Sequence, residues 1–338
     1  MVAMSGGVDS SVAAALLVEA GHEVVGVTLK LWGGESDSGC CSVADVEDAR
    51  HVARRLGIEH HVFNFGDDFD RHVVDPYVAA HAAGRTPNPC IECNRHVKFD
   101  RLLRRADVLG FTAVATGHHA RIVERSDGTR RVARGADRAK DQSYVLHMLD
   151  QAQLARVRFP IGGLTKAEVR GHAARLGLAT AGKPDSQDVC FITATGGRER
   201  FLGDRMPTTA GVVRDLDGTE LGHVPAVELV TIGQRRGLGL SGGSDPRYVV
   251  SVDVPAATVT VGRKADLLTE VTPLGDLAWT AGPVAGPLLA QVSAHGEPRP
   301  CTVEAGAVRY ARPERRVAPG QSVVLYDGDE VVGAGTAA

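Results

Sequence analysis

Two stretches of the chain carry cysteines that could act as nucleophiles. TPNPCIECNRHVKF (86–99) holds Cys90 and Cys93 three positions apart, and GKPDSQDVCFI (182–192) contains Cys190. Three cationic or titratable side chains follow Cys93: Arg95, His96 and Lys98. Nearby cations and a helix N-terminus both favour the reactive thiolate. We therefore predict that Cys93 lies just before a basic helix and acts as a thiolate.

Other chemistries for these cysteines need partners that the sequence has to supply. Structural zinc requires a fourth ligand at a recognisable spacing, and no second C-x-x-C or H-x-x-x-H follows. Cys190 alone would also fit a small buried apolar residue. Cys40, Cys41 and Cys301 have no assigned role, and the adjacent pair Cys40 and Cys41 is expected to lie in packing or at the surface. The cysteines alone therefore leave the chemistry open.

A glycine-containing loop near the N-terminus predicts an anion site. AMSGGVDSSVAAALL follows a short first strand and opens the first helix. Backbone N–H groups at such a helix end attract phosphate, and Gly6 and Gly7 allow a close approach. The alternative is that Asp9 or Ser10 is only an N-cap. The Lys-containing P-loop is excluded because no GK[ST] is present.

Alternating strand and helix patterns must position these residues. In the first half, strands are predicted over 2–4, 23–31, 61–65 and 112–116, and helices over 10–20, 43–56 and 97–109. This alternation predicts βαβ units and a parallel sheet. After about Gly197, strands are predicted over 228–232, 248–254 and 258–261, and QSVVLYDGDEVVGAG predicts a hairpin with an Asp327-Gly328 turn.

Composition sets the class of protein. The 338 residues are 43% hydrophobic and 23% charged, with a net charge of −3, as in ordinary globular proteins. No signal peptide or long apolar span is visible, so we expect a cytoplasmic protein with no membrane partner. In a reducing compartment, six cysteines favour thiolate chemistry, metal binding or burial over structural disulfides.

The string SGGVDS resembles the PP-loop of the N-type ATP pyrophosphatases. Together with NPCIECN and KPDSQDVCFI, it closely resembles the bacterial tRNA-specific 2-thiouridylases, and the match runs through ATGHHAR, KDQSYVL, GQRRGLG and PGQSVV. The resemblance implies an α/β fold: a parallel-sheet PP-loop domain (1–197), a small linking domain (198–262) and a C-terminal β-barrel that binds tRNA (263–338). It also implies ATP and Mg²⁺ as cofactors.

The resemblance implies site residues position by position. Cys93 becomes the catalytic nucleophile and Cys190 the persulfide carrier, with a transient Cys93–Cys190 disulfide. The ATP-binding positions are Ala3, Met4, Ser5, Gly6, Gly7, Val8, Asp9, Ser10, Leu29 and Gly117. The tRNA-binding positions are Asn88, Pro89, Cys90, His118, Lys140, Asp141, Gln142 and Gln321. Many relatives have Asp at the position of Cys90.

The implied reaction is thiolation of the wobble uridine in a tRNA anticodon stem-loop, with sulfur from a donor or relay protein. ATP would adenylate the C2 oxygen, and sulfur would then replace it. In the alternative, Cys90, Cys93 and Cys190 hold a [4Fe-4S] cluster that binds sulfide. Two rivals are another adenylating ligase, which passes the activated group to an amine, and a non-catalytic tRNA-binding protein. Asp9 is the candidate metal-side carboxylate.

Overall fold

The computed structural model describes residues 1–31, 42–185, 189, 191–192, 197–240 and 245–338. Cys40, Cys41 and Cys190 lie outside the described residues, so the expectations placed on them stay predictions.

Strands and helices are numbered along the described chain. The strands are β1 (Val2–Ala3), β2 (Val25–Lys30), β3 (Glu59–Asn64), β4 (Val114–Ala115), β5 (Ala120–Glu124), β6 (Arg130–Arg134), β7 (Val157–Arg158), β8 (Gly211–Asp215), β9 (Glu220–Val224), β10 (Tyr248–Asp253), β11 (Thr258–Gly262), β12 (Leu268–Trp279), β13 (Leu288–Gln291), β14 (Arg299–Glu304), β15 (Ala307–Arg315), β16 (Ser322–Asp327) and β17 (Glu330–Ala337). The helices are α1 (Val8–Glu19), α2 (Val43–Leu56), α3 (Gly66–Phe69), α4 (Asp75–Ala82), α5 (Pro89–Glu92), α6 (Leu102–Val108), α7 (Gln151–Arg156), α8 (Lys166–Arg175) and α9 (Arg198–Gly203).

The first domain contains a five-stranded parallel sheet in the order β3-β2-β1-β4-β7. Buried apolar side chains form two clusters around it, one that includes Val27, Leu102 and Val157 and one that includes Val12 and Val52. Covering both faces is what a parallel sheet with crossover helices requires. The predicted α/β class is confirmed.

The second domain is a four-stranded sheet in the order β10-β11-β8-β9, with its own core that includes Val213 and Val249. The strand predicted over 228–232 is wrong. Val227–Leu229 is a single 3₁₀ turn, and the Glu228 carboxylate accepts hydrogen bonds of 3.0 and 3.1 Å from the backbone N–H of Thr209. This side-chain capping takes the place of a strand ladder at that point.

The third domain is a barrel in which six strands close on themselves in the order β12-β15-β14-β13-β16-β17, with β17 pairing back to β12. The predicted hairpin is confirmed as β16 and β17, and Gly328 adopts a φ of +58° at its turn. The β5–β6 hairpin of the first domain adds to this sheet, because Ala133 of β6 pairs with Glu330 of β17. Sequence patterns did not predict this pairing between the first domain and the barrel.

Candidate active site

The phosphate loop runs from β1 into α1 and leaves its helix end open. Gly7 is the N-cap of α1 and makes no side-chain cap, so the alternative that Asp9 or Ser10 caps the helix is wrong. The Ser10 hydroxyl instead accepts a 3.1 Å hydrogen bond from the Ser5 N–H and donates to the Gly7 carbonyl at 3.2 Å. An uncapped helix N-terminus leaves backbone donors for an anion.

Gly6 is required by both conformation and space. Its φ is +71°, and a Cβ there would lie 2.3 Å from the backbone oxygen of Asp45. The loop is also fixed from behind, since Thr28 donates a 2.7 Å hydrogen bond to the Met4 carbonyl and the Met4 N–H donates to Val27. The loop is therefore a cradle shaped by α2 and β2, with the backbone N–H groups at the start of α1 open to an anion.

Gly117 lies against this cradle because of the strand order. The chain leaves β1 toward β2 on one side, whereas β4 lies on the other side, so the loops after β1 and β4 flank a topological switch point. A Cβ on Gly117 would lie 2.5 Å from the Ser10 N–H nitrogen. Leu29, also predicted to contact ATP, lies near the carboxyl end of β2 and is 7% exposed.

Asp9 points from the first turn of α1 into an ion pair. Lys166 Nζ lies 2.7 and 2.8 Å from its two carboxylate oxygens, and His119 Nε2 lies 3.1 Å from one of them. Burial raises the pKa of Asp9, but the hydrogen bonds from His119 and Lys166 outweigh it and leave the pKa below its usual value. Asp9 is therefore an ionised carboxylate at the mouth of the loop.

Lys166 extends this ion pair toward the segment that precedes Cys190. Its Nζ also lies 3.0 Å from an oxygen of Asp185, which Lys140 and Arg170 contact at 2.8 Å each. Burial raises the pKa of Asp185, but the hydrogen bonds from Lys140 and Lys166 bring it well below its usual value. We call Asp9, Lys166, Asp185 and Lys140 the ion-pair cluster.

Sequence reasoning missed both Lys166 and His119, the two residues that contact Asp9. His118, the neighbouring histidine, stays a predicted tRNA contact. His118 is 7% exposed, bonds Thr116 Oγ1 through Nδ1 at 2.7 Å, and burial lowers its pKa well below its usual value. His119 is the one that reaches Asp9. The signal for Lys166 was the Thr165–Glu168 capping box, which places the lysine at the first position of α8.

The cysteine helix begins earlier than predicted. Asn88 is the N-cap of α5 and accepts a 3.0 Å hydrogen bond from the Cys90 N–H, and α5 continues through π-type turns (Cys93–Arg101) into α6. The prediction that Cys93 precedes the helix is therefore wrong, because Pro89 and Asn88 supply the start and cap signals upstream. Cys90 lies in the first turn and Cys93 in the helix interior.

The predicted tRNA positions are placed in different environments. Asp141 is 6% exposed, and its carboxylate contacts Arg134 at 3.0 Å and accepts from the backbone of Gly135 and Ser143. The Gln142 side chain accepts from the His119 N–H at 2.9 Å. Near Gln321, the Thr86 N–H donates to the Pro319 carbonyl at 2.9 Å, so the barrel loop touches the segment before Asn88. All of these positions stay predictions as tRNA contacts.

For a metal, the described residues offer single carboxylates rather than a preformed cage. Within the ranges described, no group of three His, Cys, Asp or Glu side chains is arranged to hold an ion. Asp9 fits a Mg²⁺ that arrives with ATP phosphates, because such ions keep several waters and use one or two carboxylates. Cys190 lies outside the described residues, so the three-thiolate cluster remains an untested alternative.

The fold and loop define an ATP-using PP-loop enzyme joined to two β domains. Family models match three parts of the chain: tRNA methyl transferase HUP domain over residues 1–194, tRNA methyl transferase PRC-barrel domain over 199–263, and aminomethyltransferase beta-barrel domain over 274–337. The ranges 1–197, 198–262 and 263–338 stay the predicted domain limits.

Full-length relatives narrow this class to one family. The chain is 47% identical to the tRNA-specific 2-thiouridylase MnmA of Roseiflexus sp., over 99% of this chain and 98% of the relative. It is 49% identical to that of Mycobacteroides abscessus, over 98% and 97%. The chain belongs to the family of tRNA-specific 2-thiouridylases. The predicted family is confirmed.

Among solved structures, the U34-tRNA thiolase NcsA from Methanococcus maripaludis with its [4Fe-4S] cluster is 19% identical, covering 54% of this chain and 59% of that one at a TM-score of 0.35. Separately, none of the helices in the described ranges has the length and apolar character needed to cross a membrane.

Proposed function

We propose that this chain catalyses ATP-dependent 2-thiolation of the wobble uridine in tRNA, as a tRNA-uridine 2-sulfurtransferase. The observation that carries the proposal is the uncapped loop at the sheet's switch point, with ionised Asp9 at its mouth, in a chain 47% identical to a tRNA-specific 2-thiouridylase. The cytoplasm is its expected location, and tRNA and a sulfur-relay protein are its expected partners.

The first step activates the base. The uridine O2 attacks the α-phosphorus of ATP, the bond to the β-phosphate oxygen breaks, and pyrophosphate leaves. The N–H groups at the start of α1 stabilise the negative charge that develops on the phosphates. Mg²⁺, when bound, neutralises part of that charge. Asp9 would hold it, with Lys166 and His119 fixing the orientation of the carboxylate.

The second step replaces oxygen by sulfur. The terminal sulfur of a Cys190 persulfide attacks C2, and the Cys93 thiolate attacks the Cys190 sulfur to form a disulfide. The electron pair of the broken S–S bond remains on the sulfur bound to C2, and AMP leaves with the O2 oxygen. The disulfide must then be reduced by an external thiol. In the alternative, Cys90, Cys93 and Cys190 would hold a [4Fe-4S] cluster, and the sulfur would come from sulfide bound to it.

The test is mass analysis of nucleosides from tRNA incubated with protein, ATP, Mg²⁺ and a sulfur donor. We expect 2-thiouridine, formed with release of AMP and pyrophosphate. Cys93→Ser and Cys190→Ser should abolish it. Cys301→Ala is the matched control, since burial in the barrel raises the pKa of Cys301 to about 11 and keeps its thiol protonated. Absence of 2-thiouridine with a competent donor would refute the proposal.

The same assay separates the rivals. Mass analysis distinguishes an oxygen-to-sulfur exchange from an added methyl group, which matters because two of the matching family models carry a methyl transferase description. An adenylating ligase that uses an amine would remain active as Cys190→Ser. Full activity in anaerobically purified, iron-free protein would exclude the cluster. If the Cys90→Asp variant remains active and the Cys90→Ser variant does not, residue 90 contacts the base.

A further inference from the structure

The second domain has no part in the reaction proposed above, yet one of its segments touches the turn that leads into the cysteine helix. Thr231 Oγ1 lies 3.4 Å from the Oγ1 of Thr86. On its other side, the Thr86 N–H donates a 2.9 Å hydrogen bond to the Pro319 carbonyl of the barrel. The three domains therefore meet at Thr86, two residues before Asn88, a predicted tRNA contact.

The loop GQRRGLG (233–239) follows Thr231 directly, and its backbone is held on both sides of its two arginines. The Val249 N–H donates a 2.9 Å hydrogen bond to the Gln234 carbonyl. The Gln234 side chain accepts from the Thr231 N–H at 3.1 Å and donates to the carbonyl of the second arginine at 2.9 Å. Leu238 is 2% exposed and packs in the core of the second domain. The loop is therefore tied to β10 and to that core.

Two glycines allow this loop to lie flat on the neighbouring strand. Gly237 and Gly239 have φ values of +72° and +62°, and a Cβ on Gly239 would lie 2.1 Å from the carbonyl oxygen of His223 in β9. A larger residue fits neither that backbone conformation nor that close approach. The loop therefore packs down on β9 and leaves its two arginines on the outer side.

Three exposed arginines at this meeting point carry charge that no carboxylate neutralises. Arg235 and Arg236 are exposed in the loop, and Arg85 is exposed in the segment before the cysteine helix. In the part of the chain that the structure describes, none of these guanidinium groups has an ion pair or a hydrogen-bonded acceptor. Arg247 of the same domain, by contrast, lies 2.8 Å from Asp215. We call Arg85, Arg235 and Arg236 the arginine rim.

The chemistry of the arginine rim suits phosphate oxygens. A guanidinium group is always charged at neutral pH, and its paired N–H donors match two oxygens of one phosphate. Each nucleotide within an RNA chain has a phosphate on both sides, so a uridine held at Asn88 brings its own phosphates to this place. Phosphate contacts fix the register and orientation of a nucleic acid without reading its sequence.

We propose that the arginine rim binds backbone phosphates of the substrate tRNA beside the target uridine. The second domain then acts as a clamp on the anticodon stem-loop while the base is activated in the first domain. The inference rests on the proposed function. It gives a role to the second domain and to the GQRRGLG loop, which the reaction itself leaves unused.

The test is the salt dependence of RNA binding by the full chain, without ATP or sulfur donor. An unmodified anticodon stem-loop is titrated at several salt concentrations against wild type and the double variant Arg235→Gln/Arg236→Gln. The logarithm of the association constant falls linearly with the logarithm of salt concentration, by about 0.7–0.9 in slope for each phosphate contact. The double variant should therefore bind more weakly at low salt, with a slope shallower by about 1.5. Adding Arg85→Gln should make the slope shallower again.

Matched variants separate charge from folding. Arg235→Lys/Arg236→Lys retains both charges and should recover most of the slope. Arg54→Gln also removes one exposed arginine, but from the far end of α2, whose first turn touches the phosphate loop, and it should leave the slope unchanged. The Tm of the Gln and Lys double variants should equal that of wild type, because the arginine side chains make no contacts that hold the loop.

Uncharged methylphosphonate linkages locate the contact on the RNA. Stem-loops with one such linkage at each position around the target are bound to wild type and to Arg235→Gln/Arg236→Gln. At the contacted phosphates, the linkage should weaken binding to wild type and cost the double variant nothing further. An unchanged slope in the double variant, or linkage effects that persist in it, would overturn the inference while 2-thiouridine formation by wild type still supports the function. No RNA binding by wild type would overturn both.

Discussion

At the scale of single residues, the site depends on paired charges rather than on isolated ones. Lys166 is 12% exposed at its side chain and bridges Asp9 at the phosphate loop and Asp185 on the segment that leads to Cys190. Lys140 contacts the same Asp185. The ion-pair cluster therefore connects the phosphate loop, the segment that precedes Cys190 and Lys140, a predicted tRNA contact, through the carboxylates of Asp9 and Asp185.

Replacing Lys166 by Gln should lower tRNA-dependent pyrophosphate release by on the order of a hundredfold, because Asp9 loses its main partner at the phosphate loop. The measurement is pyrophosphate release against Mg²⁺ and ATP concentration, in which a positioning role raises the Mg²⁺ requirement. Arg175→Gln is the matched control on α8, since the contacts of Arg175 with Glu19 at 3.1 Å and with His172 at 3.0 Å lie at the surface, away from the phosphate loop. Equal losses in both variants would contradict a specific role for Lys166.

The same cluster predicts how stability depends on pH. The pKa values of Asp9 and Asp185 are lowered in the folded protein, so their ion pairs contribute fully above the unfolded pKa of about 4 and are lost as pH falls through the folded values. The Tm of wild type should therefore fall as pH is lowered below about 5. In Lys166→Gln this dependence should be shallower. An identical slope in both proteins would count against the cluster.

Asn88 has two separable roles. Its side-chain oxygen caps α5, and the resemblance also places it against the target base. Asn88→Ala should lower the free energy of unfolding by about 1 kcal/mol, whereas Asn88→Asp should keep the cap. RNA affinity that falls in Asn88→Asp, at unchanged Tm, would assign the amide to base contact. Unchanged affinity would limit Asn88 to capping.

At the scale of elements, the position of the loop follows from strand order and from close backbone approach. The loops after β1 and β4 meet because these strands are neighbours, although their sequences are more than a hundred positions apart. Gly6 permits the loop to press against Asp45 at the start of α2. The cradle is thus a packing contact between two helix ends.

Gly6→Ala should therefore displace the loop and reduce ATP binding strongly. Gly21→Ala is the matched control, because Gly21 also has a positive φ, +81°, but nothing lies within 4 Å of a Cβ there. The control should cost only the backbone strain, about 1 kcal/mol, with ATP affinity unchanged. Calorimetric titration with ATP and Mg²⁺ measures both. Similar affinities in the two variants would show that the clash at Asp45 is relieved without moving the loop.

At the scale of the whole molecule, a buried polar network joins the first domain to the barrel. Arg134 contacts Asp141 at 3.0 Å and stacks on the Tyr326 ring at 3.9 Å, and Ser143 bonds the Tyr326 hydroxyl at 3.0 Å. The β5–β6 hairpin pairs with β17 beside it. This network fixes the barrel relative to the catalytic domain.

Asp141→Ala should lower the free energy of unfolding by about 3–5 kcal/mol, because it leaves the Arg134 guanidinium buried and unpaired. Asp329→Ala is the control, since its ion pair with Arg138 is exposed and is expected to contribute at most about 1 kcal/mol. Denaturant unfolding measures both. If Asp141→Ala leaves stability intact but weakens RNA binding, Asp141 acts as a tRNA contact rather than as part of the network that joins the first domain to the barrel.

The sequence by itself determined the PP-loop class, the parallel sheet, the terminal hairpin and the candidate cysteines, because local periodicity and short motifs set these features. It misplaced the start of the cysteine helix and read 228–232 as a strand, because Asn88 capping and the Glu228 bond to Thr209 override propensity. Only the tertiary structure decided that His119 and Lys166 meet Asp9 and that Asp141 is buried. These depend on contacts between distant segments, which no local pattern encodes.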